Sequence, residues 1–164
     1  MPIEFSRQAM QAFSPEFKNR ILRVYSLYPE LREKRISCGL LTRRGWVVGT
    51  AISWTSPPVF RLQPNVSHYT IAHELTHLVQ GNGSGIPHGE VACDIWTLHR
   101  LPTDLLDQRP YYLMKNIRCD WKKVNKDKIK ELCTQAIEVR KTQRSYIVWL
   151  RRQIKNLNGV SEMR

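Results

Sequence analysis

The chain has 164 residues, of which 41% are hydrophobic and 24% are charged, and this balance suits one folded domain or a compact core with an extension. Its 26 Lys and Arg residues against 14 Asp and Glu residues give a net charge of +12, which makes an anionic partner worth considering but does not decide the fold. No apolar run approaches the roughly 18 residues that a membrane-spanning helix needs, so we expect no membrane partner.

The N-terminal residues lack the charged flank and apolar stretch that are typical of a signal peptide. The four cysteines are scattered and form no C-x-x-C pair, so we predict small buried side chains rather than a disulfide framework. Together these features predict a cytoplasmic protein. The cysteines are Cys38, Cys93, Cys119 and Cys133.

The first predicted helix begins at Ser14-Pro15-Glu16, where a capping hydroxyl precedes a proline in the first turn and an acid near the positive end of the helix. Apolar residues recur at helical spacing from Phe17 to Tyr25 and predict one buried face. The helix should end before Pro29, because the residue before a proline disfavours the helical conformation.

Strands are predicted next in the chain. Residues 36–42 and 46–54 are rich in β-branched and aromatic side chains, and a short turn that contains glycine lies between them. This pattern predicts an antiparallel hairpin. Residues 59–62 predict a short third strand.

The second half of the chain is predicted to be helical. Asn65 or Ser67 can cap a helix that runs to Gln80, and Gly81 occupies the position where a left-handed residue often ends a helix. Further helices are predicted over 88–100, 103–107 and from Asp120 almost to the end, with a break near Lys141. Residues 115–164 carry 14 Lys and Arg residues against five acids, so most of the positive charge lies there.

His73-Glu74-Leu75-Thr76-His77 is an H-E-x-x-H motif on the predicted helix that ends at Gln80. Two histidines four residues apart lie one helical turn apart on the same face, so both imidazoles can reach one metal ion. Zinc takes nitrogen and oxygen ligands, and a catalytic site keeps one position for water. The motif therefore predicts a Zn²⁺ site in which Glu74 accepts the proton of that water.

A third protein ligand is needed, and the downstream sequence leaves four candidates open. Glu90 and Asp94 are four residues apart on the next predicted helix, so one acid can bind the metal while the other orients a histidine. A histidine is the alternative third ligand. The candidates are His88, Glu90, Asp94 and His99.

H-E-x-x-H followed by a helix with E-x-x-x-D resembles the gluzincin metallopeptidases, and residues 73–101 carry the whole resemblance. The resemblance implies that His73, His77 and Glu90 bind zinc, that Glu74 is the general base, and that Asp94 contacts His73 from behind. The short gap between His77 and Glu90 and the small size of the chain resemble the minimal members called minigluzincins.

That resemblance implies an α+β, zincin-like minimal core with a small antiparallel sheet, an active-site helix, a glutamate helix and C-terminal helices. It also implies an edge strand above the active-site helix that accepts an extended peptide. We expect a core over 1–113 and a basic helical extension over 114–164. Because minigluzincins are described as latent, removing the chain beyond Arg140 is expected to raise peptidase activity.

Other functions fit part of the same pattern. A DNA-associated protease of the SprT type would use His88 as the third ligand, and the basic C-terminal third would bind phosphates. A regulatory peptidase resembling ImmA and IrrE carries a similar motif, and a catalytically silent zinc-binding interaction protein is a further alternative. A peptide or protein substrate is the favoured partner, a nucleic acid is less favoured, and a second copy of the chain is a further candidate.

Aromatic residues are expected mainly to pack. The five tryptophans, which include Trp46 and Trp54, are predicted to fill cores or interfaces. Tyr111 and Tyr112 are also expected to pack, with donation to an oxyanion as the alternative role.

Overall fold

The computed structural model describes residues 3–43, 45–81 and 83–157, and these form a mixed α+β fold with six α-helices and one four-stranded sheet. The strands are β1 (Ile3–Phe5), β2 (Ile36–Leu40), β3 (Gly49–Ile52) and β4 (Val59–Leu62). The α-helices are α1 (Arg7–Ala12), α2 (Pro15–Tyr25), α3 (His68–Gln80), α4 (Glu90–Arg100), α5 (Lys126–Val139) and α6 (Tyr146–Leu157). Short 3-10 turns span Pro29–Leu31 and Thr103–Leu105.

The sheet is mixed, and the prediction of an antiparallel hairpin from residues 36–42 and 46–54 is wrong. The strand order is β1-β2-β4-β3, so β4 lies between the two strands that the sequence suggested as neighbours. β2 pairs in parallel with both β1 and β4, whereas β3 pairs antiparallel with β4. The small sheet is therefore not antiparallel throughout.

Burial explains this strand order. β2 and β4 each contain fully buried residues, such as Cys38 in β2 and Phe60 and Leu62 in β4. Strands with buried residues are suited to the centre of a sheet, where neighbouring elements shield them from solvent. The residues of β3 are all only partly buried. A half-exposed strand is suited to the edge of a sheet, and β3 occupies that edge beside α3.

Most predicted helices are confirmed, with shorter bounds at some ends. Ser14 caps α2 by accepting a hydrogen bond from the Phe17 N–H, and α2 ends at Tyr25. The long C-terminal helical region is divided into α5 and α6, close to the predicted break. The sequence patterns did not predict the short elements β1 and α1, which precede Ser14.

Helix α3 is fixed firmly at both ends. Ser67 accepts a hydrogen bond from the Thr70 N–H, and the carboxylate of Asp107 accepts the N–H groups of His68 and Tyr69. Gly81 ends the helix with φ −69°, so the predicted left-handed conformation is wrong. A glycine is needed there because a Cβ atom would lie 1.9 Å from the Ser53 Oγ.

The C-terminal helices belong to the same apolar core as the rest of the described chain. α5 packs against both α4 and α6, and it contributes Ile129, Leu132, Cys133 and Ala136 to the buried cluster. None of the helices in the described ranges is long and apolar enough to cross a membrane.

The tryptophans are expected to fill cores or interfaces, and Trp46 and Trp54 do not lie in the core. These two side chains flank β3 and are 99% and 83% exposed. Trp121, by contrast, is buried and donates its indole N–H to the Leu106 carbonyl oxygen.

Candidate metal centre

Three side-chain atoms from α3 and α4 converge on one point. His73 and His77 lie one turn apart on α3, and their Nε2 atoms are 3.1 Å from each other. Glu90 is the first residue of α4, and its Oε2 atom lies 3.0 Å from the His73 Nε2 and 3.2 Å from the His77 Nε2. Two nitrogens and one carboxylate oxygen therefore face one another at the start of α4.

Asp94 lies beside the Nδ1 atom of His73, whereas the Nε2 atom of the same ring faces Glu90 and His77. Its Oδ1 atom lies 3.0 Å from the His73 Nδ1, although the two groups are not aligned as a hydrogen bond. The same carboxylate accepts hydrogen bonds from the Tyr69 hydroxyl at 2.6 Å and from the Leu113 N–H at 2.8 Å. Asp94 is buried, and these two hydrogen bonds fix the position of its carboxyl group beside the imidazole.

Gln80 contacts the corresponding Nδ1 atom of His77. The His77 Nδ1 lies 2.8 Å from the Gln80 Oε1, and the Gln80 Nε2 donates to the carbonyl oxygens of Pro87 and Gly89. Because both amide hydrogens point at carbonyls, the amide oxygen must face the imidazole and accept the Nδ1 proton. In the neutral imidazole, the lone pair of the His77 Nε2 atom then faces Glu90 and His73.

Glu74 lies beside this cluster and under the edge strand. It is only 7% exposed, and its carboxylate contacts the backbone of Gly49 in β3. Burial raises the pKa of Glu74 to about 7, although His73 and His77 act to lower it, and Glu90 adds a smaller upward contribution. A carboxyl group in this environment can exchange a proton near neutral pH.

The surrounding acids favour positive charge on the imidazoles. Burial lowers the pKa of His73, but Asp94, Cys93 and Glu90 outweigh that effect and hold it well above its ordinary value. The pKa of His77 is raised to about 10 by contacts with Cys93 and Glu90, again against burial. Hydrogen bonds from both histidines hold the pKa of Glu90 well below its usual range. The acids beside the imidazoles therefore favour positive charge at this point, carried by protons on the histidines or by a metal ion that displaces those protons.

Cys93 is a second candidate ligand on α4. Ligand atoms of His73, His77 and Cys93 all lie within 4.8 Å of one another, and this group could hold a metal ion. The Cys93 thiol is buried and donates to the His73 carbonyl oxygen at 3.2 Å. The sequence suggested burial for this cysteine, and the structure places it buried but next to both histidines.

The cluster opens into a cleft of about 1070 Å³ between β3, α3 and the start of α4. Tyr112 borders this cleft, and its ring is stacked on that of His73 with the centroids 6.1 Å apart. Among the described residues, the lining comes from 46–51, 53 and 54, from the face of α3 that carries both histidines and Glu74, from 88–90 and Asp94, and from Gln108, Tyr111 and Tyr112. None of these residues belongs to the described C-terminal helices.

The other predicted histidine candidates lie away from the point of convergence. His99 Nδ1 contacts the hydroxyl of Thr134 in α5. His88 lines the cleft, but it is exposed in the loop before α4. Sequence reasoning missed the role of Gln80, whose only signal was a polar residue one turn from His77 on the same helix.

No protein-family model, no curated protein and no solved structure matches this chain.

Proposed function

We propose that the chain is a zinc-dependent peptidase built on a minimal gluzincin-like site, with His73, His77 and Glu90 as ligands and Glu74 as general base. The observation that carries the proposal is the convergence of two imidazole nitrogens and one carboxylate oxygen within 3.2 Å, directly beside a buried carboxyl group. The edge strand β3 next to α3 agrees with the zincin arrangement.

The donor set fits zinc in chemistry and spacing. Ligand atoms about 2.1 Å from a tetrahedral ion lie roughly 3.4 Å apart, close to the observed separations of 3.0–3.2 Å. Both Nε2 atoms point inward, the His77 Nδ1 is hydrogen-bonded to Gln80, and the His73 Nδ1 lies 3.0 Å from the Asp94 carboxylate. Metal-binding histidines usually have an outer contact of this kind. Two nitrogens and one oxygen also leave a position for water.

Zinc held by His73, His77 and Glu90 would supply a water of lowered pKa and would polarise a carbonyl group. The Glu74 carboxylate would act as the proton carrier, accepting a proton from the attacking water and later donating it to the leaving amine. The free edge of β3 orients an extended peptide by main-chain hydrogen bonds. Tyr112, stacked on His73 at the cleft, is our candidate for donation to the developing oxyanion.

The described C-terminal helices do not line the cleft. The latency that the resemblance implies therefore stays a prediction without a covering segment among the described residues. The four free thiols are compatible with our prediction of a cytoplasmic protein, because disulfides are rare in that compartment.

A catalytically silent metal site is the second candidate, and Cys93 is the observation that favours it. Cysteine and histidine together are the usual ligands of closed structural zinc sites. In that case the buried Glu74 would have no chemical role. The two candidates therefore differ in what the removal of the Glu74 carboxylate changes.

The Glu74→Gln variant tests the proposal. Zinc-loaded wild-type and variant proteins would be incubated with a mixed peptide library, with cleavage read by mass spectrometry and zinc by elemental analysis. We expect the variant to keep zinc and lose about 10²–10⁴-fold in rate, whereas Glu138→Gln, an exposed control on α5, should match the wild type. Equal cleavage by the Glu74→Gln variant would contradict the general-base role, and a zinc-loaded wild type that cleaves nothing would favour the silent site.

A further inference from the structure

Exposed aromatic side chains surround the mouth of the cleft. Trp46 precedes β3 and Trp54 follows it, and both are largely exposed although both line the cleft. Tyr111 and Tyr112 border the same cleft and are also exposed, with their rings 5.1 Å apart in an edge-to-face contact. Single exposed apolar residues are common on protein surfaces, but four exposed aromatic rings around one cleft form a patch of the kind that marks a binding surface.

Apart from the histidines, the charged residues in the described lining of the cleft are all acidic. The chain has 26 Lys and Arg residues, yet none of the described residues that line the cleft is a lysine or an arginine. The formal charges in the lining come from Glu74, Glu90 and Asp94, apart from the histidines. An acidic side chain at the rim of the cleft would therefore find no lysine or arginine partner in the described lining.

The backbone that lies between the two tryptophans is a free strand edge. β3 pairs only with β4 within the described ranges, and residues 49–51 line the cleft. An extended segment that adds to this edge projects alternate side chains to its two faces. Its ends then lie near Trp46 and Trp54, which flank the strand.

We infer that the cleft selects extended polypeptide segments that carry bulky apolar or aromatic side chains and lack acidic ones, with Trp46 and Trp54 as the specificity-determining residues. This inference rests on the proposed peptidase function, because it assigns the substrate class of the same cleft. The tryptophans supply flat, rigid apolar surfaces that can bind such side chains without ordering long flexible groups.

The test uses binding rather than cleavage, so that it does not depend on hydrolysis. Three fluorescein-labelled decapeptides share one threonine and glutamine sequence and carry Phe, Ser or Asp at three evenly spaced positions. Their affinities for the zinc-loaded Glu74→Gln protein would be measured by fluorescence anisotropy. The same protein would carry, in turn, Trp46→Ala, Trp54→Ala or the control Val148→Ala, which alters an exposed apolar residue on α6.

We expect the Phe peptide to bind at least about tenfold more tightly than the Ser peptide, and the Asp peptide to bind most weakly. Each tryptophan variant should lose about five- to tenfold in affinity for the Phe peptide only, a loss of the size expected when one aromatic contact is removed. Val148→Ala should leave all affinities unchanged.

Equal binding of the three peptides, no binding of any, or tryptophan variants that match the control would overturn the inference. Selective, tryptophan-dependent binding would support the inference even if the wild-type protein cleaves none of the peptides. The absence of cleavage would then contradict only the proposed peptidase activity. Cleavage of all three peptides at equal rates by the wild type would support the proposed function and contradict this substrate class.

Discussion

Gly49 of β3 and Glu74 of α3 lie so close together that the space between the edge strand and α3 has no room for a Cβ atom on Gly49. A Cβ atom on Gly49 would lie 2.6 Å from the Glu74 Oε1 and less than 3.0 Å from its Cγ and Cδ atoms. Only glycine therefore allows β3 to lie this close to the carboxylate of Glu74.

Gly49→Ala is expected to displace the Glu74 side chain or to push β3 away from α3. Because Gly49 does not contact the ligand atoms, the variant should keep metal while its peptidase rate falls by about tenfold to 10²-fold, the scale of an error of about 1 Å in position. Steady-state cleavage and metal content measure the two effects. Gly39→Ala is the control, because its added methyl group meets only the flexible Arg61 side chain at 3.1 Å; equal activity of both variants would contradict the argument.

Gln80→Leu is expected to weaken metal binding by about 10–100-fold, the usual effect of removing an outer contact of a ligand. The variant loses the acceptor for the His77 Nδ1 and both donors to the loop before α4. Competition with a chromogenic chelator measures the affinity, and the cobalt-substituted protein reports the ligand geometry in its visible spectrum. Gln135→Leu, an exposed glutamine on α5, is the control, and an unchanged affinity for Gln80→Leu would show that His77 needs no such support.

Glu90→Ala and Cys93→Ala distinguish the two candidate ligand sets on α4. We expect Glu90→Ala to lose bound zinc, because the Glu90 Oε2 lies near both Nε2 atoms, and Cys93→Ala to keep it, because that thiol already donates to the His73 carbonyl oxygen. Elemental analysis after dialysis measures the zinc content. The reverse result, with zinc lost only from Cys93→Ala, would favour the closed His–His–Cys site.

Arg151 of α6 connects the C-terminal helices to the site. Its guanidinium donates to the carbonyl oxygens of Leu113 and Tyr112, the Leu113 N–H donates to Asp94, and Tyr112 is stacked on His73. Arg151→Ala should therefore lower the free energy of unfolding by about 1–2 kcal/mol, as expected for lost hydrogen bonds to a charged group, and it should reduce cleavage. Chemical denaturation and peptidase assays measure these effects, with the exposed neighbour variant Arg152→Ala as the control.

Removal of the chain beyond Arg140 tests the role of α6 as a whole. It deletes α6 with its buried residues Tyr146, Leu150 and Ile154, which pack in the same core as α5. We therefore expect an unstable and inactive product, contrary to the gain in activity that the resemblance implies. A soluble, folded truncation with raised activity would restore the autoinhibition hypothesis.

Local patterns predicted the parts of the molecule that depend on local geometry. The positions of His73, Glu74 and His77 follow from helical spacing, because residues four apart share one face wherever the helix lies. The caps at Ser14 and Ser67 are local for the same reason. These features need no knowledge of what packs against the helix.

Contacts between segments that are distant in sequence could not be predicted from local patterns. The hairpin prediction failed because β4, which follows both strands in sequence, lies between them in the sheet. The need for glycine at Gly49 and Gly81 arises only where β3 and the residues after it approach α3. The exposure of Trp46 and Trp54 likewise depends on the edge position of β3, which composition does not reveal.

The site also lies within a short stretch of chain, from His73 to Asp94, on two helices joined by a loop. Glu90 is the first residue of α4, and Gln80 binds the carbonyls of Pro87 and Gly89 in that loop. A bound ion would therefore act as a crosslink between the end of α3 and the start of α4, and its binding free energy would add to that of helix docking. Removing the ion should speed amide hydrogen exchange first in residues 83–91, while the buried sheet keeps its protection.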